Sequence, residues 1–412
     1  MLQTLKHRNF ALLWTGGLIS LIGNWIIIAA IPFHIYAVTD SALATGAWLM
    51  AYIAPGVIFG SVAGVFVDRW DRKRTMVITS FMQAAIVLVL LLAQTPETVW
   101  LIYVVAFIEA TLAQFFSPAE NALLPSLVGE EHLMAANSLN SMNDNLARLI
   151  GPAIGGALLG LVGLSSVVLL DVASYAIAAV LILFVNAPAT VTSPTAAEAA
   201  RVKGSRWLQV WREWLAGLQL VRHHRLLAGI FTVVGIALLG DAIISAILVV
   251  FVQDVMGLSS VEFGWMMTAR GIGGLLGGLL LAQIGRKWTP SQLISGGFIA
   301  SGILILVIIN FPTLAVVLPG LVLVGIPAIV SFVSVQTVLQ QETEDAFRGR
   351  VFGAFGTTIT LLMLIGSGLG GVLADQLGAS FLMTTASIIY IVAGLLAIVL
   401  LVQRTPKIVT TP

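Results

Sequence analysis

The chain has 412 residues, of which 58% are hydrophobic and only 9% charged, with a mean hydropathy of +1.03. Soluble domains carry about 25% charged residues, so this composition excludes a water-soluble globule, a disordered chain and a fibrous repeat. With a net charge of +1 and no cysteine, nucleic acid is not expected as a partner. Disulfides, thiolate catalysis and Cys-ligated metal are excluded.

A membrane helix needs about 20 apolar residues. Polar breaks divide the sequence into twelve such stretches: 10–38, 42–67, 75–93, 98–125, 140–163, 166–187, 226–255, 260–284, 290–310, 313–340, 350–376 and 380–402. Their length, without period-two alternation, predicts helices rather than strands. The first follows Leu5-Lys6-His7-Arg8. It is too long for a secretory leader, so it reads as a retained first span.

Eighteen of the twenty Lys and Arg residues fall in the two tails or the even-numbered connections, and none in the odd-numbered ones. By the positive-inside rule both termini are expected in the cytoplasm. The fold class is an all-α membrane protein, with twelve transmembrane helices in two six-helix pseudo-repeat bundles. The expected division is an N-terminal bundle over 1–187, a cytoplasmic linker over 188–225 and a C-terminal bundle over 226–412. Within the linker, Trp207, Trp211, Trp214 and Leu218 recur at helical spacing beside Arg206, Arg212, Arg222 and Arg225. That pattern predicts an amphipathic helix in the inner interface.

Ionisable residues inside spans are functional candidates because they are expensive there. Glu109 falls near the middle of span four, with no charged neighbour on its own helix, and reads either as a proton or substrate carrier or as a hydrogen-bonded structural group. Glu120 closes span four and could answer Arg72. Asp144 and Arg148, four apart on span five, share a face and can pair. Gly151, Pro152, Gly155 and Gly156 remove bulk from the same helix and bend it, for tight packing or to seal a cavity. Asp171, near the outer end of span six, reads as interfacial, and His34 as a hydrogen-bonding residue. Asp241 in span seven and Arg270 in span eight fall at similar depth and are expected to pair, as a gate or as a permanent bridge. Trp25, Trp48, Phe115, Phe116 and Trp265 could line an apolar cavity.

The two halves repeat. Gly64-Val-Phe-Val-Asp-Arg-Trp-Asp-Arg-Lys-Arg-Thr75 aligns with the segment 278–289 at a shift of 214, and Ile150-Gly-Pro-Ala-Ile-Gly-Gly156 with 365–371 at a shift of 215. A parallel repeat of this kind predicts a central site near the midplane and alternating access.

With Gly64, Asp68, Arg69, Arg72 and Lys73 in the second connection, the sequence resembles the major facilitator superfamily. Arg148, Gly151, Pro152, Gly155 and Gly156 resemble the glycine-proline motif of its proton antiporters. Arg8-Asn9-Phe10-x-Leu12-x-Trp14 and Asn145-Leu-Ala-Arg148 resemble its siderophore and macrolide exporters. Asp71 stands where the loop signature has glycine, and Ser138 and Ala147 where the span-five pattern has glycines. The resemblance implies that Asp68 faces the N-terminus of span eleven, whose free N–H groups attract a carboxylate, so that Asp68, Arg69 and Arg72 form a latch.

The expected function is secondary export of an amphipathic small molecule, coupled to the proton gradient with no cofactor, by a multi-pass protein of the plasma (inner) membrane, with the lipid bilayer as its surroundings and a monomer as its state. A uniporter or nutrient importer, or a non-transporting scaffold, are the alternatives. Sugar sites want many amide and hydroxyl donors, and the middle of these spans is poor in them. No H-E-x-x-H or G-x-x-x-x-G-K-[ST] occurs, so neither a zinc protease nor an ATP-driven pump is expected.

Overall fold

The structure is a computed structural model and describes residues 4–67, 69–186, 206–285 and 287–402. Among these residues there are thirteen α-helices and no strand. The first six are α1 (Arg8–Thr39), α2 (Ala42–Val67), α3 (Arg72–Val87), α4 (Trp100–Val128), α5 (Leu133–Leu161) and α6 (Leu164–Leu183). Then come α7 (Arg206–His223), α8 (Arg225–Val250), α9 (Ser260–Ile284), α10 (Pro290–Asn310), α11 (Leu314–Gln341), α12 (Asp345–Leu377) and α13 (Ala379–Ala397).

Eleven helices among the described residues are long and apolar enough to cross a membrane. The twelfth expected span, α5, is too polar over its first half. It begins at Leu133 rather than near 140 and carries Asn137, Asn140, Asn143, Asp144 and Asn145. Helix ends follow local chemistry. The Asp71 carboxylate caps α3 by accepting from the Arg74 amide at 2.7 Å, so the residue that departs from the loop signature serves as an N-cap. Thr289 and Gln292 form a capping box ahead of Pro290.

The chain divides into two compact units, Met1–Arg206 with Leu258–Thr268, and Trp207–Gly257 with Ala269–Pro412. The first unit thus takes in the connection before α9 and its first turns. In this unit α1 packs on α5 and α6, α4 on α2 and α3, and α3 on α6. In the second unit α8 packs on α12 and α13, α10 on α11 and α13. The pairings of spans one, three, four, five and six therefore recur in spans seven, nine, ten, eleven and twelve. Gly163 and Gly378, 215 residues apart, occupy equivalent helix starts at φ of 99° and 83°, a region that side chains resist. The chirality of these turns repeats at the same spacing as the Gly-rich segment of α5.

Amphipathic α7 packs on α12. Trp214 Nε1 donates to Thr358 Oγ1 at 3.1 Å, and a Cβ on Gly217 would lie 2.6 Å from that of Ala354. Val221 is buried in the core of the second unit, while Trp211 and Leu215 are exposed.

Candidate functional site

A cavity of about 510 Å³ lies within the first unit, in the range of about 300–1,000 Å³ usual for small-molecule sites. Its wall is assembled from one face of each surrounding helix. Gly17, Ser20 and Asn24 come from α1, and Glu109, Ala113, Ser117 and Glu120 from α4. Asn137, Asn140, Asn143 and Asp144 come from α5. The spacings are those of a single helical stripe, and the polarity of α5 is accounted for by this stripe.

The cavity has two levels along α4. Eleven residues separate Glu109 from Glu120, about 16 Å at 1.5 Å per residue. At the deep level Glu109 is 3% exposed. Its Oε1 accepts from Tyr175 Oη at 2.8 Å and from Asn24 Nδ2 at 3.0 Å. Tyr52 Oη donates to Asn24 Oδ1 at 3.4 Å, which extends the network to α2. Three polar side chains from α1, α2 and α6 thus organise one carboxylate, which is what a buried ionisable group requires.

Asp171, read from the sequence as interfacial, is enclosed by protein. It is fully buried on α6, beside Gly23 of α1, where a Cβ would collide with its carboxylate and with Ser174. Oδ1 accepts from Ser174 Oγ at 3.1 Å, and Oδ2 has no hydrogen-bond partner. It stands one turn from Tyr175 and so belongs to the surroundings of Glu109.

The other level, nearer the α4–α5 connection, is formed by Glu120, Asn143 and Asp144. Asn143 Nδ2 donates to the Trp14 carbonyl at 3.0 Å, while its buried Oδ1 is unpartnered. The amide and hydroxyl groups that single spans lack are gathered here from several spans, which corrects the expectation of a donor-poor interior. Of the aromatic candidates, Phe116 lines the cavity, Trp48 is buried and stacks with Tyr52 at 5.7 Å, and Trp265 is exposed.

Among the motif residues, Arg72 Nη1 donates to the Ala122 carbonyl at 2.7 Å, on α4, rather than to Glu120. Lys73 Nζ donates to the Leu183 carbonyl at 2.8 Å, at the C-terminus of α6 where free carbonyls attract a cation. These two bonds tie α3 to α4 and α6. Arg69 is exposed and a Cβ on Gly64 would meet nothing within 4 Å. Asp68 lies outside the described residues, and the latch with it. Arg148 carries its guanidinium 5.0 Å from the ring centroid of Trp25, a cation–π distance.

The glycine-proline segment faces two ways. Gly151 and Gly155 abut Trp25 and Ile26 of α1, and Gly156 abuts Ser260 and Gly264 at the start of α9. Ser260 Oγ donates to the Gly156 carbonyl at 3.0 Å, and Thr268 Oγ1 to that of Leu149 at 2.9 Å. His34 bonds the Ala93 carbonyl at 2.8 Å.

In the second unit the expected pair is present. Arg270 Nη2 stands 3.2 Å from Asp241 Oδ1. Tyr390 Oη of α13, which the sequence reading missed, donates to the same oxygen at 2.8 Å. The three residues join α8, α9 and α13. No group of three or more His, Asp or Glu that could hold a metal occurs among the described residues.

A family model described as Major Facilitator Superfamily matches residues 13–340 and again 230–412. The chain belongs to the Major Facilitator Superfamily. It is therefore a multi-pass membrane transporter and not an enzyme. Among curated relatives, it is 27% identical over 399 residues to Macrolide efflux protein A of Streptococcus pyogenes, covering 94% of this chain and 96% of that one. It is 26% identical over 386 residues to the Enterobactin exporter EntS of Shigella boydii, covering 90% and 86%. A bacterial homologue of the iron transporter ferroportin, solved in an inward-facing state, superposes with a TM-score of 0.71 at 16% identity, over 95% of this chain and 98% of that one. A bacterial homologue of the lysosomal transporter Spinster gives 0.73 at 14%, over 97% and 99%. These two show the shared fold of this superfamily member.

Proposed function

We propose that this transporter exports an amphipathic small molecule by alternating access, driven by the proton gradient across the plasma membrane, and works as a monomer with both termini in the cytoplasm. The observation that carries the coupling is Glu109, buried in the wall of the cavity yet held by Tyr175 and Asn24. A carboxyl there loses its desolvation cost when it takes up a proton, so proton occupancy and cavity hydration are linked. The efflux names of relatives aligned over most of the chain support the outward direction. The amide-rich cavity wall is the observation that favours the second reading, uptake or facilitated diffusion of a polar nutrient.

Reconstitution into proteoliposomes with an imposed pH gradient tests these readings. Accumulation of a macrolide against its own gradient, collapsed by a protonophore, is the expected result. Gradient-independent equilibration of a sugar or nucleoside, with no uphill movement of any compound in the panel, would establish the second reading instead.

A further inference from the structure

The cavity of the first unit is lined by three carboxylates, Glu109, Glu120 and Asp144, and by no Lys, Arg or His. Glu109 has two donors. Asp144 interacts with Arg148 one turn along α5. Glu120 differs from both: among the described residues it accepts no hydrogen bond and has no cation within ion-pair distance, and the charged group that acts on it is the like-charged Asp144. It is neither exposed nor at a helix end, being eight residues from the close of α4. A carboxylate in a partly dehydrated wall without a counter-ion is costly.

Two neighbours point the same way. Asn143 is 3% exposed and lines the cavity. Its amide orientation is fixed by the Trp14 carbonyl, so that Oδ1 is the atom left without a donor. Gly17 of α1 leaves room beside both groups: a Cβ there would stand 3.9 Å from Glu120 Oε1 and 3.8 Å from Asn143 Nδ2. The unpartnered Glu120 carboxylate borders this space, Asn143 Oδ1 is buried without a donor, and Phe116 lines the same wall. A carboxylate and an aromatic ring both favour positive charge.

We propose that the Glu120–Asn143–Asp144 level of the cavity binds the charged end of an amphipathic organic cation. This rests on the cavity being the substrate site of the exporter and narrows its substrate class. The cation supplies Glu120 with the counter-ion that the fold withholds, and the apolar remainder occupies the rest of the cavity. An anionic compound of the same shape meets three carboxylates and is rejected.

The full-length protein in lipid nanodiscs, titrated calorimetrically with tetraphenylphosphonium and with its isosteric anion tetraphenylborate, tests the inference. Saturable binding of the phosphonium and none of the borate is expected. Glu120→Gln should weaken phosphonium binding by about tenfold or more, equivalent to about 1.4 kcal/mol, with the thermal unfolding midpoint retained. If that variant does not fold, Asn121→Lys at the exposed cavity rim brings a cation to the same space and should produce the same loss. Equal binding of the two ions, or phosphonium affinity unchanged in the folded variant, overturns the proposal. Gradient-driven export of a neutral compound without any phosphonium binding removes this inference and leaves the export reading. Phosphonium binding without gradient-driven transport of any compound does the reverse.

Discussion

Asp241 shows what single residues of this chain do and how far their positions were legible. Counting 1.5 Å per residue along two helices put it within about 7 Å of the depth of Arg270, the reach of an arginine side chain, and the structure pairs them at 3.2 Å. Tyr390 escaped notice because it lies 149 positions away and carries no charge to flag it. Its hydroxyl occupies the same carboxylate oxygen as Arg270, so removing it leaves the ion pair but loosens the angle between α8 and α13. Tyr390→Phe should therefore lower stability by about 1 kcal/mol with transport retained, measured by thermal unfolding and uptake together. The charge swap Asp241→Arg with Arg270→Asp distinguishes a gate from a brace: recovered folding without transport denotes a gate, and recovery of both denotes a brace. For Asp171 the surroundings were not legible. Its distance from the end of span six suggested an interface, whereas the absence of a side chain on Gly23 lets α1 close over it.

At the scale of elements, α5 does two jobs with its two halves. The first half turns a polar stripe to the cavity and for that reason lacks the apolarity of the other spans. The second half is bare of bulk where it meets α1 and the start of α9. Its glycines were legible as a motif, but their neighbours were not, since sequence spacing cannot say which helix fills a groove. Gly155 leaves its would-be Cβ 2.5 Å from the Ile26 carbonyl oxygen and 3.0 Å from its Cα, and backbone cannot yield as a side chain can. Gly155→Ala should destabilise the protein by about 1–3 kcal/mol, seen as a lower thermal midpoint in detergent. An unchanged midpoint would show that α1 and α5 are less closely held than the structure has them. The linker helix α7 follows the amphipathic pattern read from its tryptophans. What the pattern could not supply is its partner, α12, met through Gly217 and Trp214.

For the whole molecule, eleven spans and the duplication were written in hydropathy and in two short matched segments, because membrane burial demands long apolar runs and a repeat copies its tight turns. The recurrence of helix pairings in both units, and of left-handed glycines at 163 and 378, has that origin. The cavity was not legible in the same way. Each span contributes only a few polar residues, and it is the packing of α1 on α5 and of α2 on α4 that gathers them into one wall. By the positive-inside rule the tails and the even-numbered connections are expected on the cytoplasmic side. An epitope inserted at Glu97 should then be labelled from outside intact cells, and one after Arg404 only after permeabilisation.

Coupling through Glu109 is the claim on which the account turns, and Glu109→Gln in proteoliposomes tests it most directly, with exchange and uphill transport of the same substrate measured side by side. The side-chain amide keeps the size of the carboxylate and can still accept from Tyr175 and Asn24 but cannot carry a proton. The account predicts that substrate exchange between the two faces persists while accumulation driven by the pH gradient is lost. Undiminished gradient-driven accumulation by that variant would contradict it.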